Sequence, residues 1–116
     1  MKRQQAETRG RQGEARAAAW LRLKGWSIVG ERVKTPVGEI DLIARRNGLV
    51  AFVEVKWRNK VEDLDTAIDA YRLRRVAAAA GAVAHEYARN GEDLRIDVIL
   101  LAPRSFPRHI TNAWQP

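Results

Sequence analysis

The sequence predicts an α/β domain, an α/β/α sandwich around one mixed sheet. Asn47-Gly48 separates two apolar, β-branched runs and predicts a hairpin, because a type I′ turn needs positive φ at both central positions. Residues 67–89 are alanine-rich with apolar residues at helical spacing, and residues 94–102 form a largely apolar strand pattern. A helix between the third and fourth strands allows those strands to be parallel.

The segments before the hairpin follow from shorter patterns. Residues 1–12 are polar and basic without apolar periodicity, and we expect a basic N-terminal arm, either mobile or a frayed helix start. Residues 13–24 have helical periodicity, and Gly25 suits the left-handed conformation that ends a helix. We expect a short strand at 26–31 and a loop at 32–37.

The segments after the hairpin complete a single domain at 13–116, because a chain of 116 residues holds one core. Residues 59–66 form a polar connection in which Asp63 or Asp65 could cap the long helix. Residues 109–114 are expected to add an edge strand or a docked tail.

The composition narrows the class of protein. A net charge of +7 favours binding to a polyanion such as nucleic acid, although plain solubility explains the same charge. The absence of cysteine excludes disulfides and thiolate metal sites, and two histidines make a histidine-rich zinc site unfavourable. No stretch approaches the ~18 apolar residues of a membrane span, so we expect a soluble cytoplasmic protein.

The hairpin carries the candidate site. A two-residue turn places Asp41 opposite Glu54, and the two-residue period of a strand places Lys56 on the same face. Opposed carboxylates destabilise a strand pair. Mg²⁺ bound by both would relieve the repulsion, since it prefers one or two carboxylates with waters and phosphate. A solvated hairpin face with Lys56 as counter-ion is the alternative.

The order of these residues adds a resemblance. Asp41 and Glu54-Val55-Lys56 resemble the PD-(D/E)xK nuclease signature, with Ile40 in place of its proline. Their surroundings are similar to the YraN family of small bacterial proteins, over nearly the whole chain. The segments that carry this similarity are 38–44, 52–58, Gly13-Glu14, Asp97-Val98 and 109–113. The resemblance implies a three-layer restriction-endonuclease-like fold, related to archaeal Holliday-junction resolvases.

The resemblance also implies an activity. It indicates a metal-dependent endonuclease acting on DNA rather than RNA, with branched or structured DNA as the candidate substrate. Asp41 and Glu54 would hold one or two Mg²⁺ ions, with Mn²⁺ as a substitute, and Lys56 would lie next to the attacking water. Glu14 is the candidate third carboxylate on resemblance alone.

Two groups of basic residues could contact phosphates beside this site. Arg58 and Lys60 follow the Glu-x-Lys strand, and Arg72, Arg74 and Arg75 cluster at the beginning of the long helix. Phosphate contacts supply the sequence-independent part of nucleic-acid affinity. A solvated helix face accounts for the same arginines.

Other polar and aromatic residues are expected to be structural. Trp57 alternates away from the charged face and is expected to pack in the core. Asp97 lies in an apolar strand, where an unpaired carboxylate is costly, so we expect an ion pair with Arg95 or a helix arginine. We expect His109 to form a structural hydrogen bond, and the sequence gives Asn112 no role.

Two other functions stay open at this point. One is a nucleic-acid-binding protein of nuclease fold with little or no activity, and the other is a scaffold whose acidic hairpin contacts a basic partner. Mg²⁺ binding would distinguish the nuclease from both of these alternatives. Salt-dependent DNA binding would distinguish the nucleic-acid-binding protein from the scaffold. The sequence does not indicate whether the chain forms a homodimer.

Overall fold

The computed structural model describes residues 2–60, 62 and 68–114, with side chains from residue 10 onward. Two helices and five strands lie within this part of the chain. In chain order they are α1 (Lys2–Leu23), β1 (Ser27–Thr35), β2 (Gly38–Arg46), β3 (Leu49–Trp57), α2 (Ala70–Tyr87), β4 (Asp93–Leu101) and β5 (Arg108–Ile110).

The five strands form one mixed sheet in the order β1-β2-β3-β4-β5. Strands β3 and β4 are parallel, and the other neighbours are antiparallel. Helix α2 connects the parallel pair, as a crossover connection requires. The small α/β domain with an antiparallel meander, a crossover helix and a parallel strand is therefore confirmed.

The first strand is longer than expected. Strand β1 pairs with β2 as far as Thr35 opposite Gly38, so the loop predicted at 32–37 is wrong and only Pro36 and Val37 form the turn. The β-branched residues Val33 and Thr35 favour this extension. A register shift between Ile28 and Gly30 interrupts the pairing nearer the start of β1.

Helix α1 extends beyond the periodic stretch at 13–24 into the segment expected as a mobile arm or a frayed helix start, and helix α2 begins after the predicted residue 67. Helix α1 already includes residues 2–12, because the helix formers Gln, Ala and Glu continue it without an apolar stripe. Helix α2 begins at Ala70, and its N-cap is Asp69, whose carboxylate accepts hydrogen bonds from the backbone of Tyr71 and Arg72. Asp63 and Asp65, the expected caps, lie outside the described residues.

The helices cover opposite faces of the sheet. On one face, Ala17 and Leu21 of α1 belong to the same buried cluster as Val53. On the other face, Ala79 of α2 shares a cluster with Phe52. The alternation of β3 thus assigns odd-numbered residues to the α1 face and even-numbered residues to the α2 face. Neither helix, over the ranges given above, is long and apolar enough to cross a membrane.

Candidate active site

The hairpin has the predicted register. Leu42 lies opposite Val53, Ala44 opposite Ala51 and Arg46 opposite Leu49. Asn47 and Gly48 have φ values of 50° and 78°, as a type I′ turn requires. The register brings Asp41 beside Glu54 one position beyond the last paired residues. Both carboxylates line one cavity on the α2 face, so the prediction that they share a face is confirmed.

Asp41 is fixed where the strand pairing ends. Its Oδ2 accepts a hydrogen bond of 2.8 Å from the backbone N–H of Val55, so a side-chain oxygen replaces a main-chain acceptor. Burial, and then the negative charge of Glu54, raise the pKa of Asp41 to about 7. The Val55 N–H opposes this shift without cancelling it. Ionised Asp41 therefore lacks a compensating positive charge in direct contact among the described residues.

Glu54 is buried, with 2% of its surface exposed, and it has the partners that Asp41 lacks. Its Oε1 accepts a hydrogen bond of 2.9 Å from Arg72 Nη2 and forms an ion pair with Lys56 Nζ at 3.1 Å. Burial acts against the charge of Arg72, but the carboxylate of Glu54 outweighs it and raises the pKa of Arg72. The structure thus brings Asp41, Glu54 and Lys56 together and adds Arg72 from α2.

Glu14 is engaged elsewhere. It lies on α1, and its Oε1 accepts a hydrogen bond of 2.6 Å from Arg32 Nε of β1. Its negative charge is a minor cause, after burial and Glu54, of the raised pKa of Asp41. No three acidic or histidine side chains in residues 10–60 and 68–114 converge closely enough to hold a metal ion. Asp41 and Glu54 therefore form the candidate site, and Glu14 is paired with Arg32 beside it.

A cavity of about 480 Å³ opens between the hairpin and the beginning of α2. Carboxylates line the hairpin wall, and Tyr71, Arg72 and Arg75 line the helix wall. Arg74 lies on the same helical turn but does not line the cavity. Tyr71 was missed by sequence reasoning, although its position four residues before Arg75 puts both on one helix face.

The other predicted phosphate contacts lie apart from this cavity. Nη1 of Arg58 donates a hydrogen bond of 2.9 Å to the carbonyl oxygen of Trp57. Lys60 is exposed. Neither residue lines the cavity. Trp57 packs against the cluster beneath α1, which confirms its predicted place in the core. The guanidinium of Arg16 lies 5.7 Å from the centre of its ring.

A second buried carboxylate lies on the α1 face. Asp97 accepts hydrogen bonds from both Nε and Nη2 of Arg95 at 2.8 and 2.9 Å, from His109 Nε2 at 2.8 Å and from the Asn112 backbone at 2.9 Å. Burial works against its charge, but these donors outweigh burial and hold the pKa of Asp97 below its usual range. The predicted Arg95 ion pair and the structural hydrogen bond of His109 are confirmed. Asn112 contributes its backbone N–H.

Comparison with known proteins establishes the family. Residues 13–101 match the sequence model of the uncharacterised protein family UPF0102. The chain belongs to the UPF0102 family. A UPF0102 protein of Erythrobacter litoralis is 73% identical over the full length of both chains. Another, from Sphingopyxis alaskensis, is 63% identical over the same span, and one from Rhizorhabdus wittichii is 58% identical over 97% of this chain and 96% of its own.

This membership confirms the resemblance to YraN proteins at the level of the family. The span matched by the UPF0102 model includes Glu14, Asp41, Glu54 and Asp97, and thus the central carboxylates of both clusters. The tail with His109 lies beyond that span but within the full-length match to the Erythrobacter relative.

Proposed function

We propose that this UPF0102 protein has a restriction-endonuclease-like fold and is a Mg²⁺-dependent endonuclease that hydrolyses phosphodiester bonds in DNA. One observation carries the proposal. Asp41 and Glu54 lie side by side where the β2–β3 pairing ends, and Lys56 forms an ion pair with Glu54. The two carboxylates face arginines of α2 across a cavity. Hydrolysis at a phosphate uses this combination of metal-binding oxygens, a cation beside them and cationic phosphate contacts.

The donor set fits a hard divalent cation. Asp41 and Glu54 would hold the ion, since Mg²⁺ is commonly bound by one or two carboxylates with waters and phosphate completing its coordination. The raised pKa of Asp41, caused first by burial and then by Glu54, favours a cation at this carboxylate. When bound, the ion would supply Lewis-acid polarisation of the scissile phosphate.

The chain's own groups position the substrate and balance its charge. Lys56, whose Nζ lies 3.1 Å from Glu54 Oε1, would orient the attacking water or stabilise negative charge that develops on the phosphate oxygens. Arg72 and Arg75 offer guanidinium groups to neighbouring phosphates. The water attacks phosphorus, the bond from phosphorus to the leaving oxygen breaks, and that oxygen takes up a proton.

A DNA-binding protein of the same fold with little or no activity is the second candidate. The contact between Arg72 and Glu54 favours it, because the arginine already neutralises one of the two carboxylates. The Arg32 contact of Glu14 favours it too, because the third candidate carboxylate is paired on α1. In this alternative the cavity binds phosphate through α2, and the hairpin carboxylates stabilise the arginine.

A cleavage assay decides between the two. Labelled linear, flapped and four-way DNA would be incubated with the parent protein in Mg²⁺ or Mn²⁺, beside Asp41→Asn, Glu54→Gln and Lys56→Ala. We expect metal-dependent cleavage by the parent and a loss of about 10²–10³-fold or more in each variant. Asp93→Asn, an exposed carboxylate of β4, is the matched control and should retain the parent rate. A parent that cuts no DNA with either metal would contradict the nuclease proposal.

DNA binding is tested by a matched pair of arginines. Arg75→Gln removes a cation that lines the cavity, and Arg74→Gln removes one on the same turn that does not. We expect Arg75→Gln to reduce the slope of log affinity against log salt by roughly 1, as one lost phosphate contact does, and Arg74→Gln to leave it unchanged. Equal effects of the two substitutions would mean that α2 acts only as a diffuse positive surface.

A further inference from the structure

Two large apolar side chains are exposed in the first turn of α2 and just before its N-cap. Tyr71 is 60% exposed and lines the cavity with Asp41 and Glu54. Ile68 is 40% exposed and lines a small recess shared with Glu54 and Lys56. Across the described residues, no aromatic ring or cation packs on the face of Tyr71. Its ring therefore borders the candidate active site with its face available for a ligand.

The charges around Tyr71 indicate what that ligand is. Arg72 and Arg75 lie on the same helix face and line the same cavity, so the aromatic ring has guanidinium groups beside it. An aromatic side chain combined with basic groups that follow a phosphate backbone is how proteins bind single-stranded nucleic acid without sequence preference. In an intact duplex the face of each base is covered by its neighbours, so only an unpaired or extruded base can stack on a side chain.

We propose that Tyr71 stacks on an unpaired base next to the phosphate held at Asp41 and Glu54, so that the preferred substrate is a nucleic acid with a single-stranded segment at the site. Arg72 and Arg75 contact the phosphates on the backbone of that segment, and Ile68 offers a second apolar contact. This inference rests on the proposed function, because it takes the cavity as the place where nucleic acid binds.

The test measures the affinity of the protein for end-labelled DNA by fluorescence anisotropy, with Ca²⁺ present. The probes are a single strand, a blunt duplex of the same sequence, and that duplex with a single-stranded extension. We expect the parent to bind both probes that contain single strand more tightly than the blunt duplex. Tyr71→Ala should weaken binding to those two probes by about 5- to 150-fold, the usual loss for one stacked base, and leave the blunt duplex unaffected.

Three controls separate stacking from other causes. Tyr71→Phe keeps the ring face and should retain the parent affinity, whereas Tyr71→Leu keeps apolar area without the ring and should resemble Tyr71→Ala. Phe106→Ala removes an aromatic residue that is 84% exposed and does not line the cavity, and it should change nothing. Thermal melting of each variant checks the fold, which should be intact because Tyr71 is exposed and its backbone contact with Asp69 remains.

The outcomes that overturn the inference are distinct from those that overturn the nuclease proposal. Equal loss on all three probes, no loss with Tyr71→Ala, or a loss with Tyr71→Phe as large as with Tyr71→Ala would each exclude base stacking. If the parent cuts DNA in the cleavage assay while Tyr71→Ala changes no affinity, only the stacking inference fails. If nothing is cut but single-strand binding depends on the Tyr71 ring, only catalysis fails. Absence of measurable binding to every probe overturns both.

Discussion

Asp41 and Asp97 lie on opposite faces of the same sheet, and their surroundings differ in one respect. Asp97 receives hydrogen bonds from Arg95, His109 and the Asn112 backbone, and these donors lower its pKa although it is fully buried. Asp41 has one backbone donor and a carboxylate as its neighbour, and burial together with that neighbour raises its pKa to about 7.

The difference separates a carboxylate that stabilises the fold from one that is available to a ligand. Buried polar groups are normally satisfied by partners within the protein, as Asp97 is. Asp97 needs no ligand to balance its charge, because it already has cationic and backbone hydrogen-bond donors. A group with a strongly perturbed pKa that lines a cavity is a functional-site candidate, and on the α2 face Asp41 meets both conditions.

The largest expected effect comes from breaking the satisfied cluster. Asp97→Ala leaves Arg95, His109 and the Asn112 backbone without their acceptor, and removal of one partner from a buried charged network costs about 3–5 kcal/mol. We expect the free energy of unfolding, measured with urea, to fall by that amount equally with and without Mg²⁺. Asp93→Asn, on the exposed end of the same strand, should change it by under about 0.5 kcal/mol. A small effect of Asp97→Ala would remove the contrast between the clusters.

The next effect is the pH dependence that Asp41 produces. Burial and then Glu54 raise its pKa from 3.8 to about 7, so the folded protein binds a proton that the unfolded chain has released. The stability that this proton contributes is fully present below about pH 4 and is lost as the pH rises through 7. After allowance for partial exposure, we expect the free energy of unfolding to fall by about 2–4 kcal/mol over this range.

Asp97 contributes with the opposite sign, because its pKa is lowered and its stability is lost as the pH falls below about 4. Urea unfolding of the metal-free protein between acidic and mildly alkaline pH would measure both effects. Asp41→Asn should remove the decline towards alkaline pH and leave the acid decline in place. A parent protein that is no less stable at pH 8 than at pH 5 would show that Asp41 is compensated after all.

A smaller effect distinguishes the two carboxylates of the candidate site from each other. At mildly alkaline pH, Asp41→Asn should stabilise the metal-free protein, because it removes a charge that burial and Glu54 oppose. Glu54→Gln should destabilise it by about 1–3 kcal/mol, because Arg72 and Lys56 lose a charged acceptor. Thermal melts should show shifts of opposite sign. We also expect Mg²⁺ to stabilise the parent protein and neither of the two variants. Shifts of the same sign would mean that the two carboxylates share their partners.

The smallest effect concerns Glu14. Its pair with Arg32 is partly exposed, and such pairs contribute about 0–1 kcal/mol, so Arg32→Gln should leave the melting temperature nearly unchanged. The same substitution frees a carboxylate whose charge already reaches Asp41, so we expect tighter Mg²⁺ binding by calorimetry. Lys34→Gln, an exposed cation of the same strand, is the control. Unchanged Mg²⁺ affinity in Arg32→Gln would place Glu14 outside the candidate site.

Backbone geometry explains how much of this could be predicted. The Asn47-Gly48 turn determines which residues of the hairpin oppose each other, and strand alternation then places Lys56 with Glu54. Residue spacing carries no information about which long side chain bridges two elements. The contacts of Arg72 with Glu54 and of Arg32 with Glu14 depend on how the helices lie on the sheet, so they could not be predicted. Tyr71 could have been found from its helical spacing with Arg75.

The beginning of α2 has a further consequence for ligand binding, because its charges conflict with the helix they belong to. Asp69 caps the helix, but the first turn contains no acidic residue, while Arg74 and Arg75 follow closely beside Arg72, which is paired with Glu54. Cations near the positive end of a helix dipole oppose helix formation, and such local conflicts in an otherwise consistent sequence are expected at functional sites. In the free protein these positive charges oppose the helix that they belong to, which is a case of local frustration. A bound polyanion would offset the charges and remove the conflict. Nucleic acid should therefore slow amide hydrogen exchange in the first turns of α2 more than in the middle of the sheet.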